Sequence, residues 1–421
     1  MPIPKKSKEL DAKTIRVRMY RIGFGDCFLV SFPLSQSKKG DDTHAHVLID
    51  CGVHPSGRIG TMEAVVDNIA EVTDRKLSIV IASHAHADHI SGFDTCAARF
   101  AQFDVGEVWL PWTWNLKDKE AAKLQKKHTA LAAALSQHLA AAPTSKAKSA
   151  IENLTGNAHA VALLNDGLGM SGKAKYLTAG DDLEKTPIPN LSARILGPPR
   201  SVEFLGKMDP PASQHYLRLA EGGVTEPPIQ PFQKRWLANR EAEEMAAIVL
   251  KSEEEKELET TLGSSVEDLA FSLDNAKNNE SVVALFAFRG QYLLFPGDAQ
   301  YGNWTWWLDH ESPEEILPRV TFFKVSHHGS VNATPKRVVE GMSAGKFAAM
   351  VSTQSSPWSS IPRVPLMEAL DEKTKQRIVR SDWLEIEGAP KPSPETAPAK
   401  PQKLPKGFQQ GRLWFDYLIP C

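Results

Sequence analysis

Ser83-His84-Ala85-His86-Ala87-Asp88-His89-Ile90-Ser91-Gly92 places three histidines and one aspartate within six positions. The stretch directly follows Leu77-Ser78-Ile79-Val80-Ile81-Ala82, a short apolar run that reads as a buried strand. A strand that empties into such a loop points several donors at one small volume. Imidazole nitrogens together with a carboxylate oxygen suit zinc or another borderline first-row ion. One ion does not readily use all four groups, because neighbouring Asp88 and His89 face a different way from His84 and His86. The spacing therefore predicts two metals, one for each pair.

The pattern His-x-His-x-Asp-His resembles that of the metallo-β-lactamase-fold hydrolases. The resemblance implies an α/β fold of the αββα sandwich type and further site residues at the ends of other strands. Val47-Leu48-Ile49-Asp50-Cys51-Gly52 supplies an aspartate at the end of an early strand, followed by a glycine suited to a turn. Tyr292-Leu293-Leu294-Phe295-Pro296-Gly297-Asp298 supplies a metal-bridging aspartate, and Phe322-Phe323-Lys324-Val325-Ser326-His327-His328-Gly329-Ser330 supplies a late histidine pair. Each stands at the carboxyl end of an apolar run, where ligands gather in sheet-based enzymes.

Gly23-Phe24-Gly25-Asp26, Asn278-Asn279-Glu280-Ser281-Val282-Val283 and the ending His327-His328-Gly329-Ser330 are similar to one branch, the hydrolase domain of ComEC-like competence proteins. This likeness covers about residues 14–110 and 275–385 and implies a metal-dependent nuclease. In that family the domain is fused to a membrane channel, and this sequence has none. It also departs from the pattern after Met350-Val351-Ser352-Thr353-Gln354, where Ser355-Ser356-Pro357-Trp358-Ser359-Ser360 stands instead of an asparagine- and histidine-bearing loop.

On this resemblance His84 and His86 hold the first metal, Asp88, His89 and His328 the second, and Asp298 bridges them. The cofactors are two divalent ions. Metal ions lower the pKa of bound water to about 7, and two of them about 3.5–4 Å apart clamp the attacking and leaving oxygens of a phosphodiester. Asp88 and His327 are the expected catalytic residues, His327 acting as general acid, as a phosphate-binding group or as support for the site. Asn278 and Ser330 are the expected substrate contacts, and Asp50 orients ligands or a loop. A third histidine for the first metal is missing: Asp274 to Glu280 offers asparagines instead. Asn278 or Asn279 is the alternative there, as a carbonyl-oxygen ligand or as a substrate contact. His159 and His215 are remote candidates, and His128 and His138 on an Ala-rich helix are fainter ones. A site short of one imidazole tolerates oxygen ligands, which brings in manganese beside zinc.

Composition agrees with a soluble enzyme. With 421 residues, 42% hydrophobic and 24% charged, the chain can bury one large core or two. Met1-Pro2-Ile3-Pro4-Lys5-Lys6 is basic without an apolar segment behind it, and no apolar run reaches about 18 residues, so a cytoplasmic protein without a membrane span is expected. Cys27, Cys51, Cys96 and Cys421 are scattered, as in a reduced compartment. A net charge of −2 argues against a generally basic surface but leaves room for a local basic groove.

The domain reading is a first half of the sandwich at 14–111, a helical and Pro-rich insertion at 112–270, and a second half at 271–387. A Pro/Lys-rich linker at 388–407 and a C-terminal strand at 408–421, taken as an edge strand, complete it. Within the insertion, helices are expected at Lys117–Ala142 and about Phe232–Leu262. The Pro- and Gly-rich stretch 180–231 is expected to be an ordered loop or lid over the site. Trp304, Trp306 and Trp307 read as packing before base stacking, and Lys117, Lys119, Lys123, Lys126 and Lys127 as a solvated helix face. The reading is a dinuclear hydrolase whose substrate is DNA or RNA. Two alternatives stand beside it: hydrolysis of a small ester, lactone or phosphoryl-choline-type group, and an effector subunit controlled by a protein partner docked on 112–270.

Overall fold

The computed structural model describes residues 11, 13–34, 42–55, 57, 59–141, 157–207, 212–214, 276–330, 332–354, 361–383 and 404–421, with the backbone alone over 131–141. Its first half opens with β1 (Thr14–Tyr20), β2 (Cys27–Pro33) and β3 (His44–Cys51). Helix α1 (Met62–Thr73), β4 (Lys76–Ile81), α2 (Ala87–Thr95) and β5 (Asp104–Pro111) follow. Helices α3 (Lys119–Ala141) and α4 (Ala158–Asn165) lead to β6 (Lys173–Leu177), β7 (Asp182–Leu183) and β8 (Leu191–Gly197). The second half holds β9 (Val283–Phe288), β10 (Gln291–Phe295), α5 (Tyr301–His310) and β11 (Phe322–Lys324). Then come α6 (Lys336–Gly341), β12 (Ala348–Val351), α7 (Val364–Thr374), β13 (Ile378–Arg380), β14 (Phe408–Gln410) and β15 (Trp414–Pro420).

The strands form two sheets, one in the order β14-β15-β1-β2-β3-β4-β5-β6 and the other β13-β12-β11-β10-β9-β8-β7. Alternation along each strand separates three apolar layers. Val17, Val30, Val47, Ile79 and Trp109 of the first sheet meet Ile195, Phe286, Leu293, Phe322 and Met350 of the second. On the outer face of the first sheet, Leu48, Val80 and Val108 pack on Val66 and Ile69 of α1, Ile90 and Phe93 of α2, and Leu164 of α4. On the outer face of the second, Leu294, Phe323 and Ala349 pack on Trp304 and Trp307 of α5, Val338 of α6 and Leu370 of α7. The layers are helix, sheet, sheet, helix: an αββα sandwich.

Two expectations change. The stretch 112–270 does not stand apart from the sandwich, because β6 extends the first sheet beside β5 while β7 and β8 belong to the second. The helices α3 and α4 lie on the connection between the parallel neighbours β5 and β6. The prolines misled because they bracket a strand and do not interrupt it. Pro187, Pro189, Pro198 and Pro199 flank Leu191–Gly197, where no ladder hydrogen bond is lost. Likewise β15 is not an edge strand: it pairs with β1 on one side and β14 on the other. The expected helix at 232–262 and residues 388–403 of the tether lie outside the described residues. Among the described residues no helix is long and apolar enough to cross a membrane.

The seam between β1 and β15 carries a buried ion pair. Arg18 Nε and Nη2 donate to the two carboxylate oxygens of Asp416 at 2.7 and 2.8 Å, and the guanidinium lies 4.0 Å from the Trp414 ring. Breaking a buried pair strands a charge, so Asp416→Ala is expected to cost about 3–5 kcal/mol in urea unfolding. The double change Arg18→Met, Asp416→Leu is expected to recover most of that loss.

Candidate metal centre

Parallel pairing of β3 with β4 and of β10 with β11 and β12 sends their carboxyl ends to one edge of the sandwich. Asp50 closes β3, Ser83 and His84 follow β4, Asp298 follows β10, and His327 and His328 follow β11. The loop after β4 turns into α2 at His86, whose extended backbone (φ −82°, ψ 149°) forms the helix N-cap. Asp88 and His89 thereby sit in the first turn, where a carboxylate is favoured by the helix dipole. Two glycines let the chain pass close to this turn. A Cβ on Gly52 would lie 2.4 Å from the His89 carbonyl carbon, and one on Gly25 would lie 2.4 Å from the Gly52 oxygen.

Asp88, His89, Asp298 and His328 are all buried, and one ligand atom from each lies within 4.8 Å of the others. His89 Nε2 is 3.0 Å from Asp298 Oδ2, and His328 Nε2 is 3.1 Å from Asp88 Oδ2 and 3.3 Å from Asp298 Oδ2. The far nitrogens fix both rings. His328 Nδ1 donates to the Ser352 carbonyl at 2.7 Å, and His89 Nδ1 donates to Asp50 Oδ2 at 2.7 Å. A carbonyl and an ionised carboxylate only accept, so each Nε2 is the nitrogen left to bind a cation. Asp50 is locked in turn by the Ser83 backbone N–H and hydroxyl, each 2.7 Å away.

Electrostatics asks for a cation here. Burial opposes ionisation of Asp88 and Asp298, yet the facing imidazoles, with Lys324 beside Asp298, outweigh it and hold both carboxyls well below the usual range. Burial opposes protonation of His89 and His328, yet Asp298 and its neighbours push both upward. Asp88 Oδ1 is buried and accepts no hydrogen bond. Two neutral imidazoles and two carboxylates around one point are a donor set that a divalent ion satisfies.

His84 and His86 form a separate pair. His84 Nε2 and His86 Nδ1 face one another at 2.9 Å, about half an ångström short of the about 3.4 Å between two ligand atoms on a tetrahedral ion with bonds of about 2.1 Å. Burial lowers both pKa values, that of His86 to about 3, which favours neutral rings near pH 7. They are not within the Asp88–His328 cluster, although the His84 ring lies tilted against that of His89 with centroids 4.2 Å apart. No other histidine joins them among the described residues. His159 pairs with Asp94 at the surface and His128 lies 3.2 Å from Glu280, while His215 and the side chain of His138 lie outside the described residues. Asn278 is 1% exposed and its amide makes no hydrogen bond. Asn279 is excluded as a ligand, since its amide holds the backbones of Leu205, Lys207, Gln300 and Asn303.

His327 and His328 both adopt left-handed backbone (φ 47° and 55°), and Gly329 continues it (φ 85°). This uncommon run turns His328 inward and brings the His327 N–H to Asp298 Oδ1 at 3.1 Å. The half-buried His327 ring meets Ser330 Oγ at 2.8 Å, and Ser330 donates to Asn332 Oδ1 at 2.7 Å. Trp304 and Trp307 are core residues, and the five lysines at 117–127 are exposed.

The sequence reading missed Asp26 and Lys324. Asp26, given no role beyond the Gly23–Asp26 likeness, is 1% exposed and its backbone ties Asp88 to Gly52. Lys324 is 2% exposed, with its ammonium on Asp26 and Asp298. The available signal was a lysine inside Phe322-Phe323-Lys324-Val325, since a buried lysine demands an anionic partner.

Comparison with known proteins finds one family likeness, over the histidine-rich loop. Residues 39–101 match the model of the metallo-beta-lactamase superfamily. That segment holds Asp50, His84, His86, Asp88 and His89. No curated protein matches the chain. Among solved structures, the metallo-beta-lactamase fold protein YhfI from Bacillus subtilis is 10% identical, with a TM-score of 0.36 over 87% of this chain and 96% of that one.

Asp50 touches no prospective metal directly, and it orients His89. Asp50→Ala is therefore expected to weaken divalent-ion binding about 10–100-fold, read by calorimetric titration of the metal-free protein.

Proposed function

We propose that this chain is a dinuclear metal-dependent hydrolase that cleaves phosphodiester bonds, with DNA or RNA as its substrate. The observation that carries the reading is the convergence of Asp88, His89, Asp298 and His328, with the rings of His89 and His328 held from behind. His84 and His86 would hold one ion and the cluster the other, with Asp298 between them; zinc and manganese both suit these donors. Bound there, the ions supply Lewis-acid polarisation of a phosphoryl oxygen and a water nucleophile usable at neutral pH.

The remaining work falls to the chain itself. Asp50 and the Ser352 carbonyl keep His89 and His328 in the tautomer whose Nε2 faces the cleft. His327, its Nδ1 tied to Ser330, is placed to bind a phosphate oxygen or to give a proton to the leaving oxygen. Asn278 offers a buried amide, donor and acceptor both, to the substrate. The choice of a phosphodiester over a small ester or lactone rests on the likeness of Gly23–Asp26, Asn278–Val283 and His327–Ser330 to the ComEC-like nucleases.

Hydrolysis of bis(p-nitrophenyl) phosphate and of single-stranded DNA is expected with added manganese or zinc, and loss of both activities in Asp88→Asn. His327→Ala is expected to lower kcat about 10²–10⁴-fold with metal content unchanged. A metal-loaded protein that opens lactones but leaves phosphodiesters intact would overturn the substrate assignment and keep the hydrolase.

A further inference from the structure

The prospective ligands leave one charged group of the cleft unexplained. Lys324 ends β11, buried at 2% exposure, and its ammonium donates to the Gly297 carbonyl at 2.7 Å, to Asp298 Oδ1 at 3.0 Å and to the Asp26 carboxylate. Asp298 Oδ1 accepts a second bond from the His327 backbone at 3.1 Å. The two oxygens of Asp298 are thus divided: Oδ1 belongs to Lys324 and His327, while Oδ2 faces His89 and His328 at 3.0 and 3.3 Å.

We infer that Lys324 is a positioning residue of the metal centre, clamping Asp298 Oδ1 so that the carboxylate presents Oδ2 to the ions. Three independent anchors hold the ammonium, two of them beside one another on the Gly297-Asp298 turn. A carboxylate with one oxygen held by two donors cannot rotate without breaking both. A long, buried lysine is costly unless it is used in this way. Asp26, Asp50 and His89 also lie within 4.8 Å of one another. That group already has its positive charge, in the Lys324 ammonium on Asp26 and the His89 Nδ1 proton on Asp50. The inference rests on the metal centre of the proposed function and not on its substrate.

The clamp and simple charge make opposite claims. A buried ammonium repels a nearby divalent ion, so its removal would tighten binding if charge alone mattered. Loss of the clamp would instead free Asp298 and weaken binding. Manganese titration of the metal-free full chain, wild type beside Lys324→Met, Asp26→Asn and the double variant, separates them. The double variant removes both charges together and leaves neither buried ion unpaired, so it keeps the test valid if Lys324→Met does not fold. Lys324→Met and the double variant are expected to bind at least about tenfold more weakly, with Asp26→Asn, which retains the Lys324–Asp298 contact, within about threefold of wild type. The visible bands of the cobalt-loaded protein should change in the two lysine variants and stay as in wild type in Asp26→Asn.

Wild-type or tighter affinity in both lysine variants would overturn the clamp. So would an Asp26→Asn variant as weak as Lys324→Met, which would make the ion pair a general structural brace. Failure of the wild type to bind any divalent ion would overturn the metal centre together with the clamp. Metal binding without phosphodiesterase activity would touch only the proposed substrate.

Discussion

Four carboxylates, from Asp26, Asp50, Asp88 and Asp298, are buried side by side at one edge of the sandwich, each 5% exposed or less. Like charges this close and this dry repel strongly, and burial alone would protonate them. They stay together because His89, His328 and Lys324 face them at hydrogen-bond distances. That charge pushes the imidazoles of His89 and His328 towards their protonated forms. A divalent ion would meet it with the same nitrogens deprotonated, so the acidity of the cluster and its affinity for metal are one property.

The architecture serves that cluster. Parallel strands deliver their ends to one edge, and the two sheets bring those ends from opposite sides, Asp50 and His89 from one and Asp298 and His328 from the other. Such closeness needs backbone that ordinary residues avoid. Gly25 and Gly52 let loops pass where a Cβ would collide, and His327 and His328 take left-handed backbone without being glycine. A residue held there costs about 1–3 kcal/mol, sustained by the packing of β11 and β12 behind it. The hydrogen bonds from the His327 N–H to Asp298 and from His328 to the Ser352 carbonyl show what that backbone achieves.

Much of this was legible in the sequence, since local pattern carries local structure. The density of histidine after Leu77–Ala82 marked the ligand loop, and aspartate or histidine at the ends of apolar runs marked Asp50, Asp298 and His328. The strand β8 was hidden because prolines punctuate both its ends, and β15 was misplaced at an edge because pairing partners are not written in a strand's own residues. Lys324 and Asp26 were overlooked because a lysine in an apolar run asks for an anionic partner without naming it, and the partner lies far away in the chain.

The sequence by itself determined the kinds of donor and their spacing within the loop, which are consequences of side-chain chemistry, while the sandwich was what the resemblance of that loop implied. Only the tertiary structure decided which ring nitrogen faces the cleft, which oxygen of Asp298 is taken by Lys324, and that His84 and His86 pair apart from the cluster of Asp88, His89, Asp298 and His328. Those outcomes depend on contacts between residues up to about three hundred positions apart, such as Asp26 with Lys324. Such contacts exist only once two sheets have packed and water has left the edge between them.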